Sequence, residues 1–172
     1  AQHLRDARIL PIYEGTNGIQ ARDLVGRKIA KDGGETMLGL VNEMRALARE
    51  LASAPGDHLT AIRDALAGSA DALEDATRWV ARSVKGELVA ALAGSVPFLR
   101  LAGTALGGWL LAKGALAAQT RLASRDGDPA FLEAKLMTAR FYDEVILPPA
   151  LAQLGPLKAA GRTVFALSET QL

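Results

Sequence analysis

The chain has no cysteine among its 172 residues, so it forms no disulfide, offers no thiolate nucleophile and binds no metal through sulfur. A reducing compartment is compatible with this. Histidine is nearly as scarce: His3 and His58 stand far apart, each near a predicted helix end, where a capping or surface role accounts for it better than a metal site. Nor is there an excess of either charge. A formal net charge of +1 gives no field that would gather nucleic acid or an acidic membrane. Arg22, Arg27, Lys28 and Lys31 are too few to change that, and they read as a solvated helix face or as a contact with a phosphate. No alternating strand pattern, internal repeat or low-complexity tract is found. With 49% apolar and 23% charged residues the composition is that of a chain able to bury a core. The sequence starts at Ala, not Met, and has its one enzyme-like motif near that start. The expectation is one domain plus the tail of another, a fragment and not a complete enzyme.

Helical periodicity organises the rest. Gln2 to Ile9 reads as the end of a helix that Pro11 breaks, and Thr16 is a suitable cap for an amphipathic helix carrying Ile19, Leu24, Val25 and Ile29. The loop between them is thereby expected to be pinned at both ends. Lys31 to Glu35 combines charge with Gly33 and Gly34, a helix stop and linker. Met37, Leu40, Val41, Met44, Leu47, Ala48 and Leu51 then recur every three or four residues, one buried stripe. After Ala54-Pro55-Gly56, Asp57 is a candidate cap for a helix with Leu59, Ile62, Leu66, Leu73, Val80 and Val84 on its inner face.

Ser95 is a candidate cap, with Pro97 in the first turn, for the stretch Val96 to Leu122. That stretch is long and apolar enough to raise a membrane-spanning reading. Arg100, Lys113 and four glycines inside it favour a central bundle helix, with Gly103 and Gly107 admitting a neighbouring backbone, and no integral membrane segment is expected. Trp79 and Trp109 read as core or interface anchors. Asp128 and Pro129 open a helix through Leu132, Leu136, Ala139, Tyr142 and Val145; Pro148-Pro149 kinks or restarts the chain, and short helical pieces follow. The predicted fold class is all-α, with residues 36–172 an antiparallel bundle of four or more helices.

The stretch Ile12-Tyr13-Glu14-Gly15-Thr16-Asn17-Gly18-Ile19-Gln20 is the one place where chemistry concentrates. A glutamate on a loop is ordinarily a solvated carboxylate. Here Ile12 and Tyr13 supply an apolar wall, Gly15 removes a side chain so that a substrate can approach, and Thr16 starts a helix whose amides can hold an anionic or carbonyl group. Desolvation against Tyr13 would raise the proton affinity of Glu14, as removal of a weakly acidic α-proton requires.

Together with Arg5-Asp6-Ala7-Arg8-Ile9 just before it, this stretch resembles the segment of the acyl-CoA dehydrogenases that carries their catalytic glutamate. The likeness covers about the first 30 residues, and the remainder resembles the extra helical domain that some bacterial members append. The resemblance implies residues 1–31 as the end of the dehydrogenase helical domain, 32–35 as a linker and 36–172 as an appended packing or oligomerisation bundle. It also implies FAD-dependent α,β-dehydrogenation of an acyl-CoA thioester to a 2-enoyl-CoA in the cytoplasm. Glu14 would be the base, Tyr13 and Gly15 would meet substrate, and Thr16, Asn17, Gly18 and Gln20 would lie against the flavin nucleotide. Electron-transfer flavoprotein is the implied acceptor and a homo-oligomer the implied assembly. Arg5 and Asp6 read as helix-end or ion-pair residues. The elements that supply most of a flavin site are missing, so the isolated chain is expected to be inactive and to retain no FAD. The competing reading is a non-catalytic helical interaction module.

Overall fold

The computed structural model describes residues 2–12, 16–164 and 166–171, the side chain of residue 169 excepted. Among them the chain is all-α, with no strand. A short helix α1 (Gln2–Ala7) stands alone; no residue of it is buried. Helix α2 (Asn17–Asp23) runs through a π-helical turn (Leu24–Ile29) into α3 (Ala30–Asp32). The long elements follow: α4 (Glu35–Ala52), α5 (Asp57–Gly86), the short α6 (Leu88–Ala93), α7 (Ser95–Ala123) and α8 (Pro129–Phe141). A second π-helical turn (Tyr142–Ile146) leads into α9 (Leu147–Leu151), and α10 (Leu154–Ala159) ends the bundle.

Turn chemistry sets the boundaries. Gly33 and Gly34 take the left-handed conformation, φ 67° and 88°, which costs glycine nothing and stops α3. Asp32 then caps the next helix, its carboxylate accepting from the amides of Gly34 at 2.8 Å and Thr36 at 3.0 Å. Hydrogen bonds from the Thr36 side chain, then from these amides, hold that carboxyl below its usual range. Asp128 caps α8 by accepting from the Ala130 amide at 3.0 Å, with Pro129 at the first helical position. Two expected caps are corrected. Asp57 and Ser95 are the first residues of their helices and not caps, and the positions before them are Gly56 and Gly94, without a side-chain cap bond.

The bundle is built on α5. Helix α4 turns back along it, and Arg45 ties the two with 2.6 Å bonds to Asp71 and Glu74. Arg78, then Arg45, holds the Glu74 carboxyl below its usual range. The start of α5 lies against the end of α7, where Gly56 meets Gln119, and α8 runs back along α7. The interior is one continuous cluster: Met44, Leu51, Leu59, Ile62, Leu73, Val80, Phe98 and Leu101 are all but sealed from solvent. Each such side chain contributes roughly 1.5–3 kcal/mol of burial. Val25 and Ile29, from the turn after α2, belong to the same cluster. Lys158 of α10 reaches Asp75 of α5 at 2.6 Å. By length and composition α7 could cross a membrane; 44% of its most apolar window is buried within this bundle.

Close approaches fall at other glycines than expected. Gly103 faces open space, and Gly107 with Gly108 floors a slot for the Tyr142 ring, whose hydroxyl donates to the Thr104 carbonyl at 3.0 Å. Backbones meet instead at Gly94, where an added Cβ would stand 2.7 Å from the Leu157 carbonyl oxygen, and at Gly161, where it would overlap Ala90. Val145, expected inward, is 49% exposed. Steps of three residues drift off the face of a 3.6-residue helix, and counting on from Leu132, Leu136 and Ala139 lands on Asp143, which is buried.

Candidate functional site

The motif stretch sits at the start of α2. Tyr13, Glu14 and Gly15 lie outside the described residues. On their C-terminal side Thr16 adopts an extended backbone, φ −61° and ψ 127°, and its Oγ1 accepts from the Ile19 amide at 3.3 Å. Thr16 is therefore a true N-cap, and it sets where α2 begins. Asn17, Gly18 and Gln20 occupy the first turn and are all exposed, and no atom of the rest of the chain comes within 4 Å of a Cβ placed on Gly18. The structure thus groups Thr16, Asn17, Gly18 and Gln20 on one open helix start.

Ala21, Val25 and Ile29 hold this helix to the bundle, so its buried stripe differs from the expected one: Ile19 points outward at 61% exposure. Beside it Arg22, Asp23, Gly26 and Arg27 meet Leu88 and Leu92 of α6 in an open groove of about 570 Å³. Asp23 pairs with Arg27 at 2.6 Å, and the Arg27 hydrogen bond holds its carboxyl below the usual range. Arg27 is thereby committed to its own helix.

On the N-terminal side the expected helix is present as α1, and none of its residues is buried. Every residue from 2 to 12 is exposed, Leu4, Ile9, Leu10 and Ile12 by more than half. Arg5 donates to Gln2 at 2.7 Å and Gln2 donates to Asp6 at 2.8 Å, so Arg5 and Asp6 are joined through an amide and not as a direct ion pair.

Other chemistry is sparse. Among the described residues no three His, Asp or Glu side chains gather as metal ligands, and His58 Nδ1 lies 3.4 Å from Arg140. Two features escaped the sequence reading. Burial, then the neighbouring Glu144 charge, pushes the Asp143 carboxyl up to about 7; a strict 3.6-residue count along α8 would have found it. The Trp109 indole N–H is buried with no acceptor among the described residues, at the edge of an open groove of about 600 Å³ between α4 and α7, away from the motif.

Comparison with known proteins gives this geometry a family. Residues 40–168 match the model described as acetyl-CoA dehydrogenase C-terminal like. The chain is 39% identical over 168 residues to the 3-methylmercaptopropionyl-CoA dehydrogenase of Ruegeria pomeroyi, covering 98% of this chain and 28% of that protein. It is 34% identical over 159 residues to a broad-specificity linear acyl-CoA dehydrogenase of Mycobacterium tuberculosis, covering 86% of this chain and 25% of that one. The chain spans about a quarter of the length of these relatives. On the family match and both relatives, it belongs to the acyl-CoA dehydrogenases, in the acetyl-CoA dehydrogenase C-terminal-like family.

Proposed function

We propose that the chain acts as part of a longer FAD-dependent acyl-CoA dehydrogenase, in which Glu14 removes the α-proton of an acyl-CoA thioester. One structural observation carries this reading. The described part of the motif stretch, residues 2–12 and 16–20, is exposed throughout and bears Leu4, Ile9, Leu10, Ile12 and Ile19, an apolar surface that a larger protein would cover. The match along 98% of the chain to a dehydrogenase more than three times as long supports it. In this reading residues 1–31 close the dehydrogenase helical domain, 32–35 link, and 36–172 form a bundle that packs or oligomerises. The start of the family match at residue 40 supports that division.

The described residues fit one edge of a flavin nucleotide. Thr16, Asn17 and Gln20 offer polar side chains, the first-turn amides point from a helix N-terminus, and Gly18 leaves room for close approach. They form one wall of a pocket that needs several. Bound FAD would accept the β-hydrogen as hydride. Glu14 would hold and release the α-proton, Tyr13 would exclude water from its carboxylate, and Gly15 would admit the thioester. Electrons would leave to electron-transfer flavoprotein, in a cytoplasmic homo-oligomer.

The decisive experiment uses the full-length enzyme. Glu14→Gln should keep the bound-flavin spectrum and lower kcat by about 10²–10⁴-fold. Near-normal turnover would remove Glu14 from the mechanism. Assaying the intact enzyme on straight-chain and thioether-containing acyl-CoA thioesters sorts the substrate class, since the two relatives are named for one of each.

A further inference from the structure

We propose that the crevice between the π-helical turn after α2 and the start of α4 is a binding site for a medium-chain alkyl carboxylate. The inference stands apart from the dehydrogenase reading and from the Glu14 loop. Gly33 and Gly34, both left-handed, fold the chain back on itself, so that α3 and α4 form the arms of a tight helical hairpin. Between the arms lies a crevice of about 430 Å³, in the size range of small-molecule sites. Ile29 and Met37 floor it, 3% and 8% exposed, and the half-buried Leu24 and Leu40 wall it.

Free positive charge stands on its rim. Lys28 and Lys31 line the crevice from one arm, both exposed, and neither has a carboxylate partner among the described residues. The acids beside them are already engaged. Asp23 is bound to Arg27, and Asp32, which also lines the crevice, accepts from the amides of Gly34 at 2.8 Å and Thr36 at 3.0 Å. Two ammonium groups are thereby left without a counter-ion beside an apolar surface. An exposed ammonium group by itself attracts any anion, and an apolar crevice by itself takes any hydrophobe; an anion on a hydrocarbon tail satisfies both.

Shape decides the size of the occupant. The hairpin turn closes the crevice at Asp32 and Thr36, so a partner helix, which needs a groove open at both ends, has no course through it. From Lys31 to Leu24 the arm runs about two helical turns, on the order of 10 Å. That length takes a tail the size of octanoate and not a long fatty acid. The carboxylate meets Lys28 and Lys31, and the tail lies over Ile29 and Met37 between Leu24 and Leu40.

The test is NMR of the chain carrying methyl-labelled methionine, titrated with octanoate. Its three methionines supply a probe and two controls: Met37 floors the crevice, Met44 is sealed in the core, and Met137 is exposed on α8. The expected result is a saturable shift of the Met37 methyl with Met137 unmoved, and a Kd on the order of 0.1–1 mM. Butanoate should bind at least about tenfold more weakly, since it leaves most of the apolar floor bare. Lys28→Gln/Lys31→Gln should lower the affinity for octanoate about three- to tenfold and leave that for octanol unchanged. Both lysines are exposed, so the double variant keeps the fold. A Met37 methyl that stays still, equal shifts at Met37 and Met137, or an octanoate affinity that the double variant leaves intact would each overturn the proposal. So would sedimentation showing a dimer that the double variant dissociates, which would give the crevice to a second copy of the chain.

Discussion

Replacing Asp143 with asparagine keeps the shape of a buried side chain and removes its ability to ionise. Asp143 sits in the π-helical turn after α8, 9% exposed, with its Oδ1 over Gly108 of α7 and the Glu144 charge beside it. Burial first, and then Glu144, raises its carboxyl from 3.8 to about 7 in the folded chain. A carboxyl whose folded pKa lies above its unfolded one favours folding while it is neutral. That advantage is complete below about pH 3.8 and is lost as pH rises to about 7. Three units correspond to a ceiling of about 4 kcal/mol, and relaxation around the new charge makes about 2–4 kcal/mol the expected range. The Asp143→Asn variant should therefore match the parent near about pH 4 and exceed it by that amount at about pH 8. For a chain of this size the gain corresponds to roughly 5–15 °C in Tm. Urea melts of both proteins across this pH range provide the assay. The difference between the two curves isolates Asp143 from every other titrating group. Parallel curves would refute the argument and place the carboxylate in contact with solvent. Glu144→Gln should recover a smaller part of the gain, because it removes the secondary cause alone.

Other expectations rest on packing. Gly161→Ala and Gly94→Ala should each lower stability by about 1–3 kcal/mol in urea, because the added carbon meets Ala90 or the Leu157 carbonyl. Gly103→Ala, on a helix face with nothing within 4 Å, should raise it by up to about 1 kcal/mol. Equal effects at the buried and open positions would contradict the helix contacts described. Tyr142→Phe, which removes the hydroxyl donating to Thr104, should cost about 0.5–1.5 kcal/mol. The purified chain should be helical by circular dichroism and colourless, without dehydrogenase activity; stoichiometric flavin would show that it holds a more complete site than Thr16 to Gln20.

Local chemistry made much of the fold legible. Left-handed glycines at 33 and 34, the Asp128-Pro129 start and the stripes of α4 and α5 follow from sequence neighbours alone, because capping and amphipathic period act over a few residues. The Thr16 cap was legible for the same reason. Asp57 and Ser95 misled because a capping residue type also suits a first helical turn, and only the backbone geometry separates the two.

The candidate site was legible as a motif, in the residue types around Glu14. Its surroundings were not, because burial is set by what packs across a surface, and residues 2–12 and 16–20 are all exposed in this chain. By itself the sequence determined an all-α chain, its helix ends to within a residue or so at several boundaries, and most inward faces, since these depend on spacing along the backbone. Tertiary structure alone decided that Gly94 and Gly161 are close backbone approaches, that Asp143 is largely buried, and that α4 and α7 leave an open groove beside the Trp109 indole. Each of these joins segments tens of residues apart, and their relative placement is fixed by packing on α5 and α7 and by no local preference.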